Sequence, residues 1–152
     1  MADAAKSPRQ IWMAVLARAS ARELHAHLAS APELPAYRTL RGPEAGLVMV
    51  RGRAGGGGSP FNLGEMSVTR STIRDEEGQI GHAYVRGRDA AQAELAARID
   101  AALQNPARRD ALQAAVIAPL ADAQEARRLA TQRKAAATRV QFFTLATMRS
   151  GS

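Results

Sequence analysis

Residues 46–65 read Gly-Leu-Val-Met-Val-Arg-Gly-Arg-Ala-Gly-Gly-Gly-Gly-Ser-Pro-Phe-Asn-Leu-Gly-Glu, an apolar strand running into four consecutive glycines and out toward a second strand. Glycines offer no side chains to a core and lose more backbone entropy on ordering than any other residue, so such a loop is kept for its backbone. Two uses fit. The amides can converge on an anion, or the bare main chain can let another surface approach closely. The flanking side chains leave both open: Arg51, Arg53 and Arg70 suit a phosphate, whereas Phe61 and Leu63 suit a partner's pocket. With nothing to pack, the loop is expected to be mobile in the isolated chain.

The remainder reads as helix, then sheet, then helices. Ser7-Pro8-Arg9-Gln10 combines an N-cap serine, a proline at the first helical position and the glutamine of a capping box. One helix is predicted from there to Pro32, with a stripe of Ile11, Trp12, Val15, Leu16, Ala19, Leu24 and Leu28. From Tyr37 to Arg86 the period changes to two. Strands are predicted over 37–40, over 47–53 (a central strand, buried through Val48 and Val50), over 66–74 and over 79–86.

A four-residue loop, Asp75-Glu76-Glu77-Gly78, joins the last two strands. That register sets Arg74 opposite Gln79, Ile73 opposite Ile80, Ser71 opposite His82 and Val68 opposite Val85. Asp89 then caps a helix through Leu95, Ile99 and Leu103, and Asn105-Pro106 begins another that Pro119 is expected to break. A basic helix follows from about 120 to 137, and 140–145 has strand composition. The whole chain, 1–152, is therefore one α+β domain, an antiparallel sheet of about four to five strands against N-terminal and C-terminal helices.

Charge and composition narrow the function. The net charge of +7 divides as +2 over residues 1–40, zero over 41–104 and +5 over 105–152, so the excess lies on the C-terminal helices and not around the glycines. A solvated helical face accounts for it better than nucleic-acid binding, because no nucleic-acid module pattern is present. Cysteine is absent, which rules out disulfides and thiolate metal sites. No apolar run approaches a membrane span, so a soluble cytoplasmic protein is expected. Aromatic residues make up 4% of the chain, and Trp12, Phe61, Phe142 and Phe143 are more than a monomer would leave exposed; a homodimer of the isolated chain is expected.

Catalytic patterns are weak. The glycine loop lacks the Lys-Ser or Lys-Thr ending of a P-loop. His25 and His27 are two apart on a helix and diverge, so no metal site is assigned. Ser71 facing His82 lacks a third orienting group and reads as a cross-strand polar pair, and Glu65 with Arg70 reads as a surface ion pair.

Several blocks carry a family resemblance. They are Trp12-Met13 with Val15-Leu16-Ala17, Gly46 to Arg53, the glycine loop with Pro60 to Glu65, Val68-Thr69-Arg70, Tyr84 to Asp89, and Thr138-Arg139-Val140 with Phe142-Phe143-Thr144. In this order, over nearly the whole chain, they resemble PhnG, a small subunit of the bacterial carbon–phosphorus lyase system. Ser71 stands where the family often has cysteine, and Gly57 where threonine is common.

The resemblance implies an accessory subunit working with PhnI, PhnH and PhnJ in a core assembly. With PhnI, PhnH and PhnL it would support displacement of adenine from ATP by a phosphonate; ATP belongs to the complex, and no cofactor is bound by this subunit. Partner or phosphate contact is assigned to Arg51, Arg53, Gly55, Gly56, Gly57, Gly58, Phe61, Asn62, Glu65 and Arg70, and no catalytic residue is assigned. Two other readings stand beside it: an independent phosphate-ester or nucleotide enzyme using those arginines, and a basic nucleic-acid binder.

Overall fold

A computed structural model describes residues 6–53 and 58–137. The fold is α+β. Helices α1 (Pro8–Leu16) and α2 (Ala21–Leu28) precede strands β1 (Tyr37–Arg53), β2 (Pro60–Asp75) and β3 (Ile80–Arg86). Helices α3 (Ala90–Gln104), α4 (Pro106–Leu112) and α5 (Ala118–Ala137) follow, with a π-helical turn, Gln113–Ile117, between α4 and α5.

Among the described residues the sheet has three antiparallel strands in the order β1-β2-β3, fewer than expected. The segments 37–40 and 47–53 belong to one long strand interrupted by register shifts between Thr39 and Glu44, and the expected strand at 140–145 lies outside the described residues. β1 is also an edge strand, not a central one, and Val48 and Val50 are only half-buried.

The N-terminal stripe is cut into two helices. Ser20 and Glu23 form a second capping box, in which the Ser20 hydroxyl accepts from Glu23 N at 3.2 Å and the Glu23 carboxylate accepts from Ser20 N at 2.8 Å. The carbonyls left at the break are not orphaned: Gln92 of α3 donates Nε2 to Ala19 O at 2.6 Å and to Ala17 O at 3.3 Å. At the other end Pro119 does not break the chain into two helices. A proline has no N–H for the carbonyl four residues back, here Ala115, and its ring collides with it. The wide turn Gln113–Ile117 contains Ala115 and absorbs that defect, so the run continues into α5.

The β2–β3 register differs by one residue from the expected one. Asp75 N donates to Gln79 O at 3.0 Å and Gly78 N to Asp75 O at 3.1 Å, so the loop proper is Glu76-Glu77-Gly78 and Asp75 faces Gln79. Gly78 takes φ of +90°, the left-handed position that closes three-residue hairpins, and Gln79 N is held by Asp75 Oδ1 at 2.7 Å. Arg74 therefore pairs with Ile80, Ile73 with Gly81, Thr72 with His82, Ser71 with Ala83, Arg70 with Tyr84, Thr69 with Val85 and Val68 with Arg86. A one-residue slip turns every side chain over, so Ser71 and His82 lie on opposite faces of the sheet.

Helix α3 lies across the inner face of the sheet and meets all three strands as well as α1, α2 and α4. Gly81 makes this approach possible, since a Cβ there would collide with Ala97 O and stand 2.8 Å from Ala101 N. Ala93, Ala96, Ala97, Ala101 and Ala102 keep α3 thin, while Leu95, Ile99 and Leu103 fill the core with Leu16, Leu24, Ile73, Val85, Leu112 and Leu120. Trp12 is buried in this core, one of the two places, core or interface, that its position in the apolar stripe allows, and so is not part of an exposed apolar face. Ser71 Oγ is buried on the inner face without a hydrogen-bond partner among the described residues.

One carboxylate ties these layers together. Asp100, fully buried on α3, accepts from Arg9 NH2 at 2.7 Å and Nε at 3.2 Å, from Trp12 Nε1 at 2.8 Å and from the His82 backbone N at 2.9 Å. Asp100→Ala would strand two buried donors, Trp12 Nε1 and His82 N, at about 1–3 kcal/mol each, whereas the partly exposed Arg9 can turn to water. The expected loss is about 3 kcal/mol for Asp100→Ala and less for Asp100→Asn, which keeps one acceptor; urea denaturation of the two variants checks it.

Candidate functional site

β3 pairs with β2 only over 68–74, so among the described residues the segments 47–53 and 60–67 pair with each other and, apart from a Gly87 N–Ser67 O bond of 2.8 Å at the base, with no third strand, forming a two-stranded ribbon beyond β3. Two strands without a further layer are marginal in water. The ribbon nevertheless exposes large apolar side chains: Leu47 at 59%, Met49 at 53%, Phe61 at 47% and Leu63 at 61%. Along β1 the exposed Leu47, Met49, Arg51 and Arg53 alternate with the half-buried Val48, Val50 and Gly52. On the other side, Gly52 faces Phe61 and leaves room for Leu63, whose Cδ1 would stand 2.5 Å from a Cβ placed at Gly52. Both faces of the ribbon are thus partly apolar.

The tip gathers five of the residues singled out by the sequence. Arg51 stands opposite Asn62, Gly52 opposite Phe61 and Arg53 opposite Pro60; Gly58 is half-buried in the bend that follows, and Gly55, Gly56 and Gly57 lie outside the described residues. Glu65 is further down, opposite Met49. Arg70 is not at the tip. It lies eight positions along β2 from Asn62, ~26 Å at 3.3 Å per residue. The expected Glu65–Arg70 ion pair is replaced by Glu44–Arg70 at 3.0 Å, because residues an odd number apart on a strand point to opposite faces.

Nucleophile-and-base chemistry gains little from the observed register. His82 Nδ1 lies 3.2 Å from Thr72 Oγ1, not from Ser71, in an exposed pair. Asp100 is close in the fold, but it touches the His82 backbone and not the ring. A carboxylate that orients a catalytic imidazole must bond the ring nitrogen, so these three groups do not form a relay. Among the described residues no group of three His, Cys, Asp or Glu side chains is placed to hold a metal ion.

The corrected register also assembles a surface that sequence reasoning missed. The even-numbered side chains of β2 and β3, with their partners on β1, form the sheet face opposite α3. Arg38 stands against Arg74, Arg41 against Thr72, Glu44 against Arg70, and Val68 against Arg86. Glu44 Oε2 accepts from Arg70 Nε at 3.1 Å and from Arg41 Nε at 3.2 Å, and the Arg70 bond foremost holds its carboxyl below the ordinary range.

The C-terminal cations, by contrast, are largely engaged inside the fold. Arg108 pairs with Glu77 at 2.7 Å and donates to Glu33 O, and Arg109 donates to Leu103 O and Gln104 O at the end of α3. Arg127 reaches Glu23 at 2.7 Å and Arg128 reaches Glu125 at 2.6 Å. No described helix is long and apolar enough to cross a membrane.

Comparison with known proteins decides the family. The family model for phosphonate metabolism protein PhnG matches residues 7–149. The chain belongs to the PhnG family. It is 44% identical over 145 residues to the alpha-D-ribose 1-methylphosphonate 5-triphosphate synthase subunit PhnG of Rhizobium meliloti (strain 1021), covering 94% of this chain and 91% of that protein. The resemblance read from the ribbon, the Tyr84–Asp89 block and the Trp12 helix is therefore borne out at the level of family.

The Glu23–Arg127 contact fastens α5 to α2 and gives a pH test. The Arg127 hydrogen bond, then the Ser20 backbone N–H, lowers the Glu23 pKa from 4.5 to about 2. A carboxyl lower in the folded than in the unfolded chain stabilises fully above its unfolded value, and that stabilisation fades as pH falls toward the folded value. Between pH 4.5 and about 2 the wild type should thus lose stability that Glu23→Gln lacks throughout. Thermal melts of both proteins across that window, converging at its acid end, check this.

Proposed function

We propose that this chain is an accessory subunit of a ribose 1-methylphosphonate 5-triphosphate synthase within the carbon–phosphorus lyase pathway, supplying surface rather than a complete active site. The observation that carries the reading is the ribbon: exposed Leu47, Met49, Phe61 and Leu63 on a two-stranded projection that no described element covers. Apolar and aromatic side chains at the centre of a patch, with arginine at its rim, are what subunit interfaces use. The ribbon inserts into a larger subunit, PhnI in this reading, and the glycine loop lets main chains meet where side chains would block them. PhnH and PhnJ join the core assembly and PhnL the transfer step. ATP and the phosphonate are substrates of the complex, and Arg51, Arg53 and Asn62 at the tip are the residues of this chain nearest to hand for completing an anion site.

This role agrees with the absence of a relay around His82 among the described residues, since a chain without a paired base and nucleophile can shape a site but not run it. The test is adenine release from ATP and methylphosphonate by reconstituted subunits, with a pull-down of the larger subunit. This chain alone should release none, and adding it should raise the rate of the others. Phe61→Asp with Leu63→Asp should lower both pull-down and rate by at least tenfold, and Gly56→Val with Gly57→Val should impair them. His82→Ala should change neither by more than about twofold. Equal activity without this chain, or turnover by it alone, contradicts the proposal.

A further inference from the structure

The sheet face opposite α3 is covered by no described element, and its charge is one-sided. It carries Arg38, Arg41, Arg70, Arg74 and Arg86 against a single carboxylate, Glu44, already shared by Arg41 and Arg70. Arg38 and Arg74 stand directly opposite each other on neighbouring strands, an arrangement that destabilises a sheet unless something anionic lies over it. Among the described residues neither makes an ion pair, and Arg74 Nε is shut off from solvent without a hydrogen-bond partner. The two border a hollow of about 270 Å³. Asp75 and Glu76 also line it and keep their charge, but one oxygen of each is tied to the backbone, to Gln79 N and Ala36 N respectively, and neither carboxylate reaches Arg38 or Arg74 as an ion pair.

We propose that this face seats a carboxylate-rich surface of another polypeptide of the assembly, which rests on the subunit reading above. Its charge and shape select that occupant. From Arg74 to Val68, the residue paired with Arg86, β2 runs ~20 Å at 3.3 Å per residue, too far for one small anion to neutralise. A single-stranded nucleic acid would want several aromatic platforms, and among the described residues this face offers Tyr84 alone. Residues 138–152 of the same chain contain Arg139 and Arg149 and no Asp or Glu, so their side chains cannot balance it. A second copy brings a net charge of +7. Acidic side chains of a different chain match the arginines bidentately.

The experiment is arginine modification by phenylglyoxal, read by mass spectrometry on the free chain and on the assembled synthase. Arg38, Arg74 and Arg86 should react at least fivefold more slowly in the complex. Arg74→Glu puts a carboxylate opposite Arg38 and so should fold as well as the wild type by thermal melt, yet weaken assembly at least tenfold. A complex that forms while these arginines keep their free-chain reactivity overturns the inference and leaves the subunit reading standing. So does protection of the free chain by inorganic triphosphate or a single-stranded oligonucleotide at levels matching the complex, which would assign the face to phosphate. Failure of the wild-type chain to join any complex overturns both.

Discussion

Everything in this fold hangs from a carboxylate that water never reaches. Asp100 takes hydrogen bonds from α1 through Arg9 and Trp12 and from β3 through the His82 amide, while its own helix crosses the sheet. A buried charge is tolerated only when its lone pairs are filled, so these three elements must arrive together or the carboxylate is left exposed to a large desolvation penalty. Gly81 lets α3 come close enough for the His82 amide to reach it, and Arg9 and Gln104 cover the Ile80 carbonyl on the same outer edge of β3. That edge, which would otherwise invite another strand, is thereby partly closed by side chains.

Placing α3 on one face has consequences for the other. The small-residue packing goes to the inner side, and the outer side keeps the arginines in register with no described element over them. The ribbon extends past β3 and, among the described residues, shares neither α3's cover nor a third strand. The molecule is thus a packed core with two bare surfaces of different chemistry, one apolar and one cationic. This division suits a subunit whose partners supply what the free chain lacks.

Much of this was legible from local chemistry. The caps at Ser7, Asp89 and Asn105 each hold the amides that their side chains are suited to hold, and the apolar spacing of Leu95, Ile99 and Leu103 does face the core. Other features turn on local details of comparable size that compete with the periodicity. Ser20-Ala21-Arg22-Glu23 is a capping box inside an apparently continuous stripe, and it divides the N-terminal helix. Gly78 makes the hairpin loop one position shorter at its start, which turns over every side chain of β3 relative to β2 and hid the cationic face. Pro119 reads as a stop, yet a π turn four residues earlier is a tertiary adjustment that periodicity does not report. Asp100 was visible as an acid within the run Leu-Ala-Ala-Arg-Ile-Asp-Ala-Ala-Leu, residues 95–103, but its partners lie some ninety and eighteen positions away and no local rule names them. At the tip, Arg51, Arg53, Phe61 and Asn62 do come together, whereas Arg70 needed the strand's length to be separated from them.

The core stands on its own, while the ribbon waits for a partner. Amide hydrogen exchange on the isolated chain and on the assembled complex tests it most directly. Amides of α3 and of β2 over 68–74 should exchange slowly in both, and those of 47–53 and 60–67 should exchange fast in the free chain and at least a hundredfold slower in the complex. Ribbon amides as slow in the free chain as those of α3, or as fast in the complex as in the free chain, would contradict it.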